Sequence, residues 1–477
     1  MKHAAVAVWV ALALAGGAQA RDLVQVYDDA VQFDPTIAGA NATRLAQREN
    51  FPQALSALLP QANGNYVISR TKSDANEAEP YPDPLTGQTV ILPITSSGYT
   101  DERGYNLQLT QSVFSWAQWK SLSRAHKQVA QAEADYKVAQ QSLITRVATA
   151  YFNVLSAQDT VDADQSALTA VTQQLEQANK RYDVGLIPIT DVKEAQAQHD
   201  ADAAAVIEAK RQLASVQQAL REITDQDYPS LAKPGADMAL NPPQPADPEH
   251  WVQVSMDQNL SLLSSRLAAD VARDAVEVSR AGHFPTIGIT ATRSDENLST
   301  NEISGGFGGP PVSARYPSSQ TSNGIQLQVT VPIFSGGLVT SQVRQAQYTW
   351  IAAKDNMQVV SRQTEHLARD SYNGLVSKIA QVNALRQGLE SAQVALQATT
   401  AGYDVGTRTE VEVLQSQQSL VAAQTSYAQS RYDYLIDIIN LRLAAGTLDR
   451  TTLVEIDKWL TAPQDSPITP GPPPAQR

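Results

Sequence analysis

Residues 117–184 read AQWKSLSRAHKQVAQAEADYKVAQQSLITRVATAYFNVLSAQDTVDADQSALTAVTQQLEQANKRYDV, and the stretch free of glycine and proline reaches back to Tyr105. Within it, apolar or small residues recur at steps of three and four: Leu122, Ala125, Val129, Ala132, Tyr136, Ala139, Leu143, Val147, Ala150, Val154, Ala157 and Val161. That spacing predicts one continuous helix of coiled-coil type. At about 1.5 Å per residue it is roughly 100 Å long, a rod that no single globular domain needs. The successive four-residue steps at Ala139, Leu143 and Val147 form a hendecad-like element, which locally relaxes left-handed supercoiling.

A second rod is expected over Leu338 to Ala401, in a proline-free stretch from Ile333 to Ala462. The two rods belong to an internal repeat with a period of about 220 residues, too long for a solenoid and indicative of a duplicated half. Asp34-Pro35-Thr36-Ile37 aligns with Asn259-Leu260-Ser261-Leu262, Leu107-Gln108-Leu109 with Leu327-Gln328-Val329, and Tyr182-Asp183-Val184-Gly185 with Tyr403-Asp404-Val405-Gly406. Between the halves, Pro229, Pro234, Pro242, Pro243, Pro245 and Pro248 exclude regular helix and mark a linker. Shorter helices are expected over Leu23 to Leu59, Thr190 to Ile223, Glu249 to His283 and Thr409 to Ala445. Each short pair, laid end to end, matches one rod, so every rod can pair along its length with two stacked partners.

Four segments alternate with period two: Ala62 to Ile68, Tyr105 to Val113, Ile287 to Arg293 and Ile325 to Ile333. In the last, Ile325, Leu327, Val329, Val331 and Ile333 share one face, and Gln326, Gln328 and Thr330 share the other. One apolar and one polar face is the pattern of a barrel strand, although soluble half-buried hairpins show it too. The polar inserts Ser69 to Arg103 and Ser294 to Asn323, the second with a glycine cluster at 305–309, read as long surface loops. Four strands cannot close a barrel and lipid tolerates no open sheet edge. Either the sheet is soluble, or several chains each donate four strands. Three chains give twelve, and the same symmetry gathers the rods into a helical tube.

The expected organisation is a signal peptide at 1–20, a first repeat at 21–224, a Pro-rich equatorial linker at 225–249, a second repeat at 250–446, an equatorial segment at 447–460 and a disordered Pro-rich tail at 461–477. Lys2, the apolar run Ala4 to Ala15 and Ala18-Gln19-Ala20 carry the export signal. Beyond it no apolar run is long enough for a spanning helix, which excludes an inner-membrane helical protein. The formal charge of −13 and the lack of a basic patch argue against nucleic acid. The chain has no cysteine, which excludes disulfides, a thiol nucleophile and a lipoprotein anchor. His3, His126, His199, His250, His283 and His366 show no metal-ligand spacing. There is no nucleophile elbow or P-loop, so neither enzyme chemistry nor a cofactor is expected.

The turns that end the rods carry the remaining signal. Gly185 is the expected left-handed residue of the first, with Thr190 as the following N-cap and Asp191 favourable to the helix dipole. Gly406 does the same in the second, where Thr409 and Glu412 have capping-box spacing. These residues either do no more than terminate helices, or form a ring in an oligomer that brings Asp191 to Arg408 and copies of Glu412 to the axis.

Ala150-Tyr151-Phe152-Asn153-Val154-Leu155, Ile189-Thr190-Asp191-Val192, Leu260-Ser261-Leu262-Leu263, Ser341-Gln342-Val343, Gln345-Ala346-Gln347-Tyr348 and Gly402-Tyr403 with Val405-Gly406-Thr407-Arg408-Thr409 resemble the TolC family of outer-membrane efflux channels. The resemblance implies a mainly α protein with a membrane β-barrel: a homotrimer whose twelve-stranded barrel in the outer membrane of a Gram-negative bacterium continues into a helical tunnel through the periplasm. It implies a passive exit duct for drugs, toxins or proteins, joined by a periplasmic adaptor to an inner-membrane transporter of the RND, ABC or MFS type. By the same resemblance Thr190 and Asp191 bond to Tyr403 of the same chain and to Arg408 of the neighbour, closing a periplasmic gate. Glu412 falls at the narrowest point of the entrance, and Gln415 stands where the family has a second carboxylate, a loss that Glu410 partly replaces. Thr400 stands where the acidic partner of Gln174 is expected, Pro52 should kink the first helix, and Gly185 and Gly406 mark the tips that meet the adaptor. The rival reading is a structural or adhesive coiled-coil protein of the envelope with a soluble sheet and no channel.

Overall fold

The computed structural model of the chain describes residues 20–82, 86–235, 238–305 and 310–461. The expected signal peptide, apart from Ala20, the tail beyond Thr461 and most of the glycine cluster lie outside the described residues. The chain divides into two compact units, one of residues 20–46, 131–266 and 355–461 and one of 47–130 and 267–354.

The elements in order are α1 (Leu23–Phe33), α2 (Pro35–Arg48), α3 (Asn50–Ser56), β1 (Gln61–Pro82), β2 (Thr89–Ser115), α4 (Trp116–Asp183), α5 (Ile189–Thr224), β3 (Lys233–Pro234), α6 (Pro248–Gln258), α7 (Leu260–Arg280), β4 (Thr286–Gly305), β5 (Val312–Thr330), α8 (Leu338–Asp404), α9 (Glu410–Ala444), α10 (Arg450–Asp457) and β6 (Leu460–Thr461). The rods α4 and α8 run for 68 and 67 residues, as the glycine- and proline-poor periodic stretches predict. No described helix is long and apolar enough to cross a membrane.

The short helices depart from expectation. The single helix expected over Leu23 to Leu59 is three, and the one expected over Glu249 to His283 breaks at Asn259 and ends in a 3-10 turn. The residue before Pro35 is pushed into extended backbone, and Asp34 there has ψ 114°. Its carboxylate accepts from the Thr36 N–H at 2.9 Å and restarts the helix. Asn259 has ψ 121°, and its side chain caps Leu262 N at 3.0 Å. Asp34 and Asn259 are the aligned positions of the repeat, so the two halves share a helix break as well as a sequence. Pro52 acts as expected but upstream: lacking an N–H, it leaves the carbonyl four residues back unbonded, and the chain breaks at Glu49.

The core of the first unit collects Leu23, Val26 and Ala30 of α1, Leu143, Val147, Tyr151 and Phe152 of α4, Tyr434, Leu435 and Ile439 of α9 and Leu453 and Ile456 of α10, all of them buried. The proline-rich segment is tied to it. The Tyr151 hydroxyl donates to the Ala232 carbonyl at 2.8 Å, the Tyr434 hydroxyl accepts from Asn241 N at 2.9 Å, and β3 pairs with β6.

In the second unit β1, β2, β4 and β5 form one antiparallel sheet in that order, with β1 and β5 as its open edges. The inserts expected as loops are mostly strand: the β1–β2 ladder runs from Gln61↔Thr110 to Pro82↔Thr89, and the β4–β5 ladder from Thr286↔Thr330 to Ser304↔Val312. Alternation marks only the rows with an apolar face, whereas the ladder is made by backbone groups and continues through polar sequence. At its other end β5 stops at Thr330, short of the expected Ile333, just ahead of Pro332. Register places Tyr66, Ile68, Leu107, Leu109, Ile287, Ile289, Ile325, Leu327 and Val329 on one face. Ile325 and Ile68 are 85% and 69% exposed there, so no described residue covers this face at those positions.

Candidate functional site at the helix turns

Both candidate turns lie in the first unit. Gly185 has φ +76° and Gly406 φ +77°, a conformation that side chains with a Cβ rarely adopt. Each turn closes the same way. Gly185 and Leu186 donate to the Tyr182 and Arg181 carbonyls at 2.8 and 2.9 Å, and Gly406 and Thr407 donate to the Tyr403 and Gly402 carbonyls at 3.0 and 2.8 Å.

The helices that follow start differently. Pro188, not Thr190, is the N-cap of α5, and it makes no side-chain cap bond. Its fixed φ suits the extended cap position, so the helix starts one residue ahead of Thr190. The Thr190 hydroxyl instead donates to Asp191 at 3.2 Å. Ahead of α9 the expected capping box is complete: Glu412 N donates to the Thr409 hydroxyl at 3.3 Å, and Thr409 N donates to Glu412 at 2.8 Å. Arg408 donates to the same carboxylate at 2.7 Å. The Thr409 backbone bond and the Arg408 guanidinium hold Glu412 below the usual carboxylate range.

Tyr403 sits under the Arg181 guanidinium, 5.1 Å from the ring centre. Burial, and then the neighbouring Glu410 carboxylate, push its hydroxyl up to about 12. Glu410 is only 2% exposed and neither carboxylate oxygen has a well-formed hydrogen bond. It therefore does not supply the entrance charge expected of it: as the first residue of α9 it turns inward, toward Tyr403. Gln415 is exposed. No hydrogen bond joins Tyr403 to Thr190 or Asp191 among the described residues, and Arg408 is engaged by Glu412 of its own chain.

Three features escaped the sequence reading. Arg181 looked like an ordinary basic residue in a last helical turn, yet it covers Tyr403 and lies 3.9 Å from Asp404. Val184, Leu186 and Val405 are 69%, 72% and 75% exposed, an apolar tip where polar loop residues are the norm. Its signal was the V-G step present in both halves. Further along, Gln418 donates to Gln198 and Gln198 to Asp202, both at 2.7 Å, beside a cavity of about 220 Å³ also lined by Asp164.

Two helical rods of 68 and 67 residues, a four-stranded sheet with an exposed apolar face and open edges, and helix turns with apolar tips define a mainly helical protein with one long-stranded sheet; among the described residues no group of His, Asp or Glu could hold a metal ion. Residues 26–225 and 251–447 match the family profile described as outer membrane efflux protein, and the chain belongs to that family. It is 35% identical to the outer membrane protein TolC of Escherichia coli strain K12, across 93% of this chain and 86% of that protein. It is 28% identical to the alkaline protease secretion protein AprF of Pseudomonas aeruginosa, across 93% and 88%. The Campylobacter jejuni CmeC outer membrane channel superposes with a TM-score of 0.69 at 19% identity, covering 91% of this chain and 89% of that one, which shows the shared fold. The protein is thus an outer-membrane efflux protein, and its relatives are channel and secretion proteins, not enzymes.

Proposed function

We propose that the chain is the outer-membrane exit duct of a tripartite efflux pump or type I secretion system. The single observation that carries the reading furthest is the sheet: long strands with open edges at β1 and β5 and an uncovered apolar face. An open edge is not viable in lipid. Three copies joined edge to edge close twelve strands, with the apolar face outward and Gln108, Thr110, Gln326 and Gln328 toward a wet lumen. Trp116, Trp119, Phe284 and Phe334, all exposed next to the strand ends, fit the aromatic girdle of the inner interface. Two half-molecules, supported by the two matched segments and the twin breaks at Asp34 and Asn259, give the trimer six rods and their stacked partners for a helical tunnel.

The tunnel is gated at the turns. In the closed trimer, Thr190 and Asp191 bond Tyr403 of their own chain and Arg408 of the neighbour, and Glu412 and Gln415 line the constriction. Arg408, half exposed and paired among the described residues with Glu412 of the next helical turn alone, is free to exchange partners. Opening untwists the short-helix coiled coils, biased by a periplasmic adaptor that grips the apolar tips around Gly185 and Gly406. Energy comes from an inner-membrane transporter coupled through that adaptor. The test is single-channel conductance in a planar bilayer. Wild type should give small openings that grow in the Tyr403→Phe, Arg408→Ser double variant; equal conductance would remove the gate, and no channel from folded trimer would remove the duct.

A further inference from the structure

The sheet gathers its cations on one face. Antiparallel register puts Arg70, Lys72, Arg103, Arg293 and Arg315, all the cations of the four long strands, on the same face as the apolar rows. Asp74, Asp101 and Asp295 share that face, which still carries more cations than anions, whereas Glu77, Glu102, Glu296 and Glu302 lie on the other. In a chain of net charge −13 this segregation places basic side chains where the barrel reading has lipid.

Distance along the strands sets their depth. From Ile287 to Asn297, the register partner of Arg103, is ten residues, about 33 Å of strand, or about 25 Å of height at the usual tilt. That equals the apolar band of an outer-membrane barrel. Arg103 thus stands at the outer rim of the band, and Arg315, paired with Asn301, about 10 Å above it. Both line one recess of about 560 Å³ with Asp101, Asn297, Ser299 and Ser319.

Two of the cations there are already neutralised. Arg70 grips Asp101 through two bonds of 2.6 and 2.9 Å, and Lys72 pairs with Asp74 at 2.8 Å. Arg103 makes no ion pair or hydrogen bond among the described residues. Arg315 gives its Nε to the Ser299 hydroxyl, at 3.0 Å, and the outer nitrogens of its guanidinium make no hydrogen bond among the described residues. Asp101, already held by Arg70, is the one carboxylate that both guanidiniums feel, so two forked donors share a single committed anion; with the Ser319 hydroxyl and the second N–H of the Asn297 amide, whose first goes to Asp295, they match a phosphate monoester, which takes forked hydrogen bonds from arginine.

We propose that this recess binds the phosphate of a phosphorylated glycolipid of the outer leaflet, through Arg103 and Arg315, with Asn297 and Ser319 as supporting donors. Its position at the rim of the apolar belt and on the same face argues for a lipid-borne phosphate, whose acyl chains then lie along Leu107, Leu109 and Ile325. The site rests on the membrane reading of the sheet. Occupancy would tie each protomer to the leaflet and set the height of the barrel.

The test uses purified full-length trimer in detergent, with an acylated glucosamine disaccharide carrying two phosphates and the same lipid dephosphorylated, and binding read by native mass spectrometry. The phosphorylated lipid should bind at least tenfold more tightly than its dephosphorylated form. The Arg103→Gln, Arg315→Gln double variant should lose that preference, while Glu102→Gln on the opposite face keeps it. Displacement of the lipid by 10 mM inorganic phosphate would show a free-anion site and overturn the lipid assignment. So would equal binding of both lipids, or an unchanged double variant. Trimer that inserts in bilayers but shows no phosphate preference overturns the site and leaves the duct standing, whereas failure to insert at all overturns both.

Discussion

Asp34 is where one side chain both ends one helix and starts the next, and its replacement separates the two roles. The carboxylate is almost fully buried, paired with the Arg146 guanidinium, and caps Thr36 N at 2.9 Å. Asn at this position keeps the cap, as Asn259 does in the other half, and loses only the charge. Breaking a fully buried pair costs about 3–5 kcal/mol, but Arg146 is 36% exposed and water takes over part of its solvation, so about 2 kcal/mol is expected for Asp34→Asn. Asp34→Ala also leaves Thr36 N uncapped and adds about 1 kcal/mol, for a total near 3. Burial alone would raise the Asp34 carboxyl, yet the Thr36 N–H and Arg146 outweigh it and hold the group below its ordinary 3.8. A depressed carboxyl stabilises the fold above its unfolded value, and the gain is lost as pH falls through the folded value. Urea unfolding followed by circular dichroism should therefore show Asn and Ala variants separated by about 1 kcal/mol at pH 7. The gap between wild type and Asn should close as the pH drops well below 3.8. Asn as costly as Ala, or a gap that survives acid, would refute this division of roles.

Glu412→Gln should reduce the cation preference of the channel, read as the reversal potential in a salt gradient, while keeping the capping box because Gln completes it equally; Glu410→Gln should leave the potential unchanged, since that carboxylate is buried. Gly406→Ala meets open space and should cost only the left-handed strain of about 1–2 kcal/mol. Gly446→Ala should lower the melting temperature further, because its Cβ would lie 2.4 Å from the Gln258 carbonyl. Burial, and then Asp202, raise the Asp164 carboxyl above its ordinary 3.8, so the folded state holds that proton more tightly than the unfolded one and stability falls as pH rises through this range. Asp164→Asn should therefore raise the melting temperature at pH 7, with the gain vanishing below pH 3.8.

The first rod was legible because 68 residues without glycine or proline leave the chain one regular option, the second because its proline-free stretch repeats the pattern despite Gly374, Gly388 and Gly402, and the turns because Gly185 and Gly406 need a positive φ. The helix break at Asp34 was written in the dipeptide Asp34-Pro35, and its twin at Asn259 only in the alignment of the halves. Strand length was not legible: beyond the apolar belt Thr71, Ser73, Ser318 and Thr321 look like loop, and only the partner's backbone decides that they are strand. At the turns, spacing gave the Thr409 and Glu412 capping box, but not that Arg408 pairs with Glu412 inside one chain. Glu410 misled for the same reason, because which way the first residue of a helix faces depends on packing against another helix.

The two turns begin alike and finish differently, and the difference bears on assembly. A pair of identical, fully capped turns would have no reason to recognise each other. The second turn satisfies itself: Thr409, Glu412 and Arg408 form a closed set of bonds, and Tyr403 is enclosed by Arg181 and Glu410. The first is left incomplete, since Pro188 caps without a side chain, and among the described residues the Asp191 carboxylate receives just the neighbouring Thr190 hydroxyl. An acceptor with spare capacity on one turn and a guanidinium on the other, held by a single exposed carboxylate, are complementary halves of a contact that a lone chain does not complete. In the proposed trimer, where first and second turns would alternate around the axis, each Asp191 would draw one Arg408 from its Glu412. Such a bond, at an exposed site, would be weak enough to be exchanged back when a partner protein pulls the turns apart.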